Sequence, residues 1–129
     1  MTAQEYEQFL FPNLTFCIFA ENGSCYMDIH EIINKIYPIP ETSMDKLTKH
    51  LSKVTYPKGH HILEAGKTET NIFFIEKGIV RAYIPVDGKE VTFWIGKEGS
   101  AIVSLKSYVD NQQGYESMEL MEESELYLL

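Results

Sequence analysis

Gly59, Gly66, Gly78, Gly88 and Gly99 recur every seven to twelve residues, and short apolar-rich segments fill the intervals. Glycine supplies the positive φ that tight reversals demand. Reversals at this spacing leave room for short strands and little else, the pattern of an all-β sandwich or barrel. The spacing predicts a mainly β fold from Lys53 to Leu129: a β-roll, or jelly-roll-like barrel, with flanking helices and one helical insert facing a cavity.

Individual segments support this. Residues 54–56 and 61–63 flank a Pro57-Lys58-Gly59 turn, and Glu64-Ala65-Gly66-Lys67 is a second turn. Ile72-Phe73-Phe74-Ile75 reads as a strongly apolar strand, and Lys77-Gly78 turns into a strand over 79–84. Asp87-Gly88 is the strongest hairpin signal, because a two-residue type I′ turn needs positive φ at both central positions. It joins that strand to one over 90–95. A polar-capped helical turn follows at 104–109, and 115–120 and 125–129 read as two closing strands. Phe73, Phe93 and Trp94 are expected in the roll core, and the acidic run from Glu116 to Glu125 on a solvated face.

Upstream, residues 27–37 place apolar side chains at 29, 32, 33 and 36, the spacing of an amphipathic helix. Pro38 and Pro40 end it. A second helix follows, with Thr42 or Ser43 as its cap and Met44, Leu47 and Leu51 on one face. Residues 1–26 lack any basic residue and hold both cysteines, Cys17 and Cys25. Two origins stay open for them: a reading frame extended upstream of a natural start at Met27, or a native N-terminal arm. The expected organisation is an N-terminal extension over 1–27 and one domain over 28–129.

At 129 residues the chain has length for one core. Eleven Lys and Arg against nineteen Asp and Glu, a net charge of −8, argue against nucleic-acid binding through its own surface. Two cysteines make no disulfide framework. The apolar run over 9–20 is interrupted by Pro12 and Asn13, follows no basic residue, and is too short to span a bilayer. The expectation is a cytoplasmic protein with free thiols and no membrane partner.

Tyr56-Pro57-Lys58-Gly59, Glu64-Ala65-Gly66, the run Phe73-Phe74-Ile75-Glu76-Lys77-Gly78-Ile79-Val80-Arg81-Ala82-Tyr83, Asp87-Gly88-Lys89-Glu90-Val91-Thr92 and Gly99-Ser100 follow in fixed order. From Ile36 to Leu129 this set resembles the cyclic-nucleotide-binding domain of Crp/Fnr-type bacterial transcription regulators. Its wording is similar to the Bacteroides-type branch in particular. The resemblance implies a β-roll that senses a small-molecule effector and has no enzymatic activity of its own. It also implies a long helix after the roll that makes a homodimer, and a C-terminal helix-turn-helix that carries DNA binding. Neither is present up to Leu129, so a truncated or excised sensor is expected. Ligand binding would then reposition the helix that follows.

In ligand-binding relatives of this kind a Glu holds the ribose hydroxyl and an Arg holds the cyclic phosphate. Counted without gaps from Gly99, those positions fall on Ser104 and Gly114. Ser104 keeps a hydroxyl for a ribose, whereas Gly114 supplies no charge. Between Gly99 and Leu129 stand six acids and one base, Lys106, which repel an anion. The candidate cassette is Gly99, Ser100, Ser104, Leu105, Ser107, Gly114 and Tyr115, facing the strand over 79–83, with Tyr108 and Tyr115 as the aromatics flanking its loop. Ordinary cyclic AMP binding is not expected, and no cofactor is implied.

Other constellations are weaker. His60-His61 suggests a cupin-type metal site, but adjacent strand residues point to opposite faces and cannot share one ion. Cys17 and Cys25 are too few for the four thiolates of an iron–sulfur cluster. Ser104 and Ser107 lack the Gly-x-Ser-x-Gly setting of a nucleophile. Beside the sensor reading stand a ligand-free dimerisation or interaction module on the same roll and, third, the metal-binding cupin.

Overall fold

The computed structural model describes residues 27–129. Residues 1–26, with Cys17 and Cys25, lie outside the described residues. Helices α1 (Ile29–Ile36) and α2 (Glu41–Thr48) lead into eight strands: β1 (Ser52–Tyr56), β2 (His61–Leu63), β3 (Phe73–Lys77), β4 (Val80–Val86), β5 (Lys89–Gly96), β6 (Ala101–Ile102), β7 (Ser117–Leu120) and β8 (Ser124–Leu128). A third helix, α3 (Leu105–Asp110), is inserted between β6 and β7. The strands form two four-stranded antiparallel sheets, ordered β1-β8-β3-β6 and β2-β7-β4-β5. This is the expected jelly-roll-like architecture. The two sheets are not hydrogen-bonded into one closed cylinder.

The first sheet is buried on both faces. Phe73 and Ile75 of β3 and Leu126 of β8 point between the sheets and pack with Ile62, Leu63, Val80, Ile102 and Leu120. Phe74 and Tyr127 point the other way, onto Met27, Ile29, Ile32, Ile33 and Met44 of the helical lead-in. Burial on both sides explains why β3 reads as an unbroken apolar run instead of alternating. It also explains the helix pattern: Ile29, Ile32 and Ile33 meet the sheet, while Ile36 at the end of α1 is exposed. Lys53 of β1 places its ammonium 2.8 Å from the nearly buried carboxylate of Glu76, whose Oε2 has no other partner. That contact holds the Lys53 pKa above its ordinary value.

Local chemistry sets the boundaries. Asp28 caps α1, its carboxylate accepting the His30 N–H. The expected Thr42 or Ser43 cap on α2 is not made: Pro40 occupies the cap position without a side-chain bond, and Glu41 opens the helix. The φ of proline suits that entry, and Glu41 complements the positive end of the helix dipole. Asp87 (φ 51°) and Gly88 (φ 77°) form the anticipated hairpin turn.

Gly78, at the β3–β4 reversal, has φ 141°, and a Cβ there would fall on the Ser124 hydroxyl and lie 3.2 Å from the Ser124 Cα. Gly78→Ala is therefore expected to lower the stability of the folded state by about 2–4 kcal/mol, from backbone strain and overpacking together. Urea denaturation of the two proteins measures this, and an unchanged midpoint would contradict the close approach of β8 to this turn.

Candidate functional site

The helical insert is held by its own serines. Ser104 stands at the N-cap position of α3 but makes no capping bond. Its hydroxyl lies 3.1 Å from Ser107 Oγ as donor, and Ser107 in turn donates to the Gln112 carbonyl at 2.7 Å. Both side chains are fully buried. Asn111 closes the helix in the left-handed conformation, φ 53°. The loop beyond is tied to the β2–β3 connection: Gly114 N–H donates to the Lys67 carbonyl, and Gly66 N–H donates to the Gly114 carbonyl. Ala65 N–H donates to Ser117 Oγ at 3.0 Å. Lys67 directs its ammonium to Glu64, whose carboxyl it holds below the usual range.

Two residues converge on the bare face of Gly114. A Cβ there would stand 2.9 Å from Ser104 Oγ and 3.9 Å from Glu116 Oε2. The Glu116 side chain is buried, at 9% exposure, and its Oε2 has no hydrogen-bond partner. This corrects the expectation that the acidic run lies wholly on a solvated face. Glu116 immediately precedes β7, and Glu119 is half-buried against Arg81.

Of the expected cassette residues, Ser104, Ser107 and Gly114 are brought together. Gly99 and Ser100 instead build the turn into β6. Their backbones bond Ile75, and Ser100 Oγ accepts the Lys97 N–H. Leu105, Tyr108 and Tyr115 are exposed. The Ser104 proton is committed to Ser107, so what the hydroxyl has left for a ligand is its acceptor side.

Phe93 and Trp94 are not in the roll core, contrary to the sequence expectation: they are 53% and 37% exposed, whereas Phe73 is buried. β5 is a sheet edge, and its register shifts so that Ala82 pairs with Trp94 and Tyr83 with Thr92, leaving Phe93 as the extra residue of a bulge. Directly paired residues share a face. Trp94 therefore points to the inner side, with buried Ala82, yet that end of the roll is open and the indole stays accessible. Gly96, two residues on and paired with Val80, leaves the room: a Cβ there would fall within the Trp94 ring.

Arg81 faces the opposite, outer side. Its guanidinium bonds Glu119 at 2.7 and 2.9 Å, Glu90 at 2.7 Å and Thr92 at 3.3 Å, and lies over the Tyr83 ring. These carboxylates raise its pKa, and they commit it away from the cassette. Beside it, Ile79, Ile95 and Met121 line a shallow apolar groove. His60 stacks on Tyr56 and His61 bonds the Tyr83 hydroxyl at 2.8 Å, so the two imidazoles serve different faces. Among the described residues no group of three or more His, Cys, Asp or Glu could hold a metal ion, and no helix is long and apolar enough to cross a membrane.

The described residues thus form an antiparallel jelly-roll-like fold with a helical insert between its sixth and seventh strands. Residues 53–129 match the model of the cyclic nucleotide-binding domain, and the chain belongs to that family. Solved structures share the fold. The regulatory domain of Toxoplasma gondii PKA, crystallised with cAMP, superimposes with a TM-score of 0.71 at 12% identity, over 78% of this chain and 40% of that one. The catabolite activator protein of Thermus thermophilus gives 0.65 at 21% identity, over 73% and 44%. The N-terminal domain of a transcriptional regulator from Streptomyces coelicolor A3(2) gives 0.63 at 18%, over 70% and 65%. The chain thus spans less than two thirds of the length of each. No curated protein matches it.

Trp94 is the single tryptophan of the chain. Its emission in the free protein is expected to be that of a partly hydrated indole, quenched by acrylamide. A blue, unquenchable emission in the free protein would contradict the open end of the roll.

Proposed function

We propose that this chain is the effector-sensing domain of a Crp-type transcription regulator of the Bacteroides-type branch, and that it does not take cyclic AMP in the usual way. It acts in the cytoplasm as a sensor without catalytic activity. Dimerisation and DNA binding belong to other parts of the intact regulator. Effector binding in the roll biases the orientation of the helix that follows β8.

One observation supports the reading of an altered ligand preference: counted without gaps from Gly99, the positions that the resemblance gives to Glu and Arg fall on Ser104 and Gly114, and Ser104 Oγ closes over the bare face of Gly114. An Arg–phosphate bond contributes about 1.5–3 kcal/mol that is missing here. Its loss removes roughly one to two decades of affinity. Isothermal titration calorimetry is expected to find no saturable binding of cyclic AMP or cyclic GMP in the micromolar range. Micromolar affinity for either would overturn the proposal.

A second reading, an interaction module that kept the roll without a ligand, is favoured by the exposed apolar side chains of β5, namely Val91, Phe93, Trp94 and Ile95. A thermal-shift screen of metabolites separates the two. Saturable stabilisation by any compound supports the sensor, since a ligand that binds only the folded state must stabilise it. No stabilisation across the screen supports the module.

A further inference from the structure

The outer face of the second sheet carries an apolar groove next to the β3–β4 reversal. Ile79, Ile95 and Met121 are all exposed there, and with Arg81, Thr92 and Glu119 they line a space of about 640 Å³ that is open to solvent. Exposed apolar side chains gathered into one groove mark a surface that another segment covers. The polar part of the groove is already satisfied, because the Arg81 guanidinium bonds Glu119, Thr92 and Glu90. A charged occupant would disturb those pairs or leave a covered charge without a partner, whereas an uncharged apolar one leaves every pair intact.

The chain itself supplies a segment of that chemistry. Residues 9–20 contain no Asp, Glu, Lys, Arg or His, and they include Phe9, Leu10, Phe11, Phe16, Ile18 and Phe19. Their tether begins beside the groove. Met27 is buried under the helical lead-in, and its N–H donates to the Glu76 carbonyl at 2.8 Å. Ile79 follows Glu76 by three residues, which span at most about 11 Å. Residues 21–26, between Met27 and the apolar run, reach about 20 Å when extended. From Ile79 the groove continues without a gap: the Met121 N–H donates to the Ile79 carbonyl, and Ile95 pairs with Arg81. A segment held on so short a tether meets its groove at an effective concentration of the order of millimolar, so a shallow contact suffices.

We propose that residues 9–20 dock in cis on the groove of Ile79, Ile95 and Met121, so that the chain covers the outer face of its own second sheet. Of the two origins open for residues 1–26, this takes the native arm. Docking of the arm presupposes neither the sensor nor the interaction module, and both readings stand if it fails.

The test uses the full chain carrying Cys25→Ser, which leaves Cys17 as the single thiol and as the reporter on the run. Its reaction with DTNB is expected to be slower than that of the same protein unfolded in urea by about tenfold or more, as for a group reached only through local opening. Ile95→Glu and Met121→Glu, made separately at exposed groove positions, are each expected to restore the fast rate, because an apolar segment cannot cover an unpaired carboxylate without cost. Ile36→Glu, at an exposed position at the end of α1, is expected to leave the rate slow. Circular dichroism confirms that each variant keeps its strands. A Cys17 that reacts at the unfolded rate in the native chain overturns the proposal. Protection that survives both groove variants, or that Ile36→Glu abolishes, puts the run elsewhere and overturns it as well. A rate that rises on dilution gives the groove to the arm of a second copy, and docking in cis is then wrong.

Discussion

The fold hangs on a sheet that is buried from both sides. Ile72-Phe73-Phe74-Ile75 offers alternate side chains to two separate cores, one between the sheets and one beneath the helices. Fully burying such a side chain contributes about 1.5–3 kcal/mol, so β3, with Tyr127 of β8 beside it, ties the helical lead-in to the roll. Met27 extends the connection through its backbone, whose N–H donates to the Glu76 carbonyl at 2.8 Å. With β3 fixed, Gly99 and Ser100 dock on Ile75, and this sets where β6 begins.

The second sheet plays the opposite part. It is covered on its inner face only, and toward β5 even that cover fails. The outer face carries the Arg81 network, in which two carboxylates, a hydroxyl and an aromatic ring surround one guanidinium. Such a cluster at a half-exposed site contributes register and orientation more than free energy. In the insert, by contrast, the buried Ser104 and Ser107 hydroxyls are spent on one another and on the Gln112 carbonyl.

Much of the fold could be read before any coordinates. Glycine spacing located the reversals, Asp87-Gly88 named its own turn type, and the 29, 32, 33 pattern marked the buried stripe of α1. Placement of aromatic residues failed, and for a physical reason. Phe93 and Trp94 look like core residues because nothing local says that β5 is an edge or that a bulge slides its register by one. Two positions of the site, Ser104 and Gly114, were legible as departures from a family pattern, but their mutual contact was not. The burial of Glu116 was hidden altogether, since it sits in a run whose other acids are half-buried or exposed. A faint signal was present in Gly114, two residues upstream, because a glycine marks a place where other atoms come close.

The strand order has a bearing on how the chain is made. β8, the last strand, lies in the interior of its sheet and joins β1 to β3, with Ser52 opposite Leu128 and Phe73 opposite the same residue. Until residues 124–128 have left the ribosome, β1 has no strand partner and one edge of β3 stays unpaired. Folding must wait for those residues and then close nearly the whole described length in one step, a topology associated with slow folding.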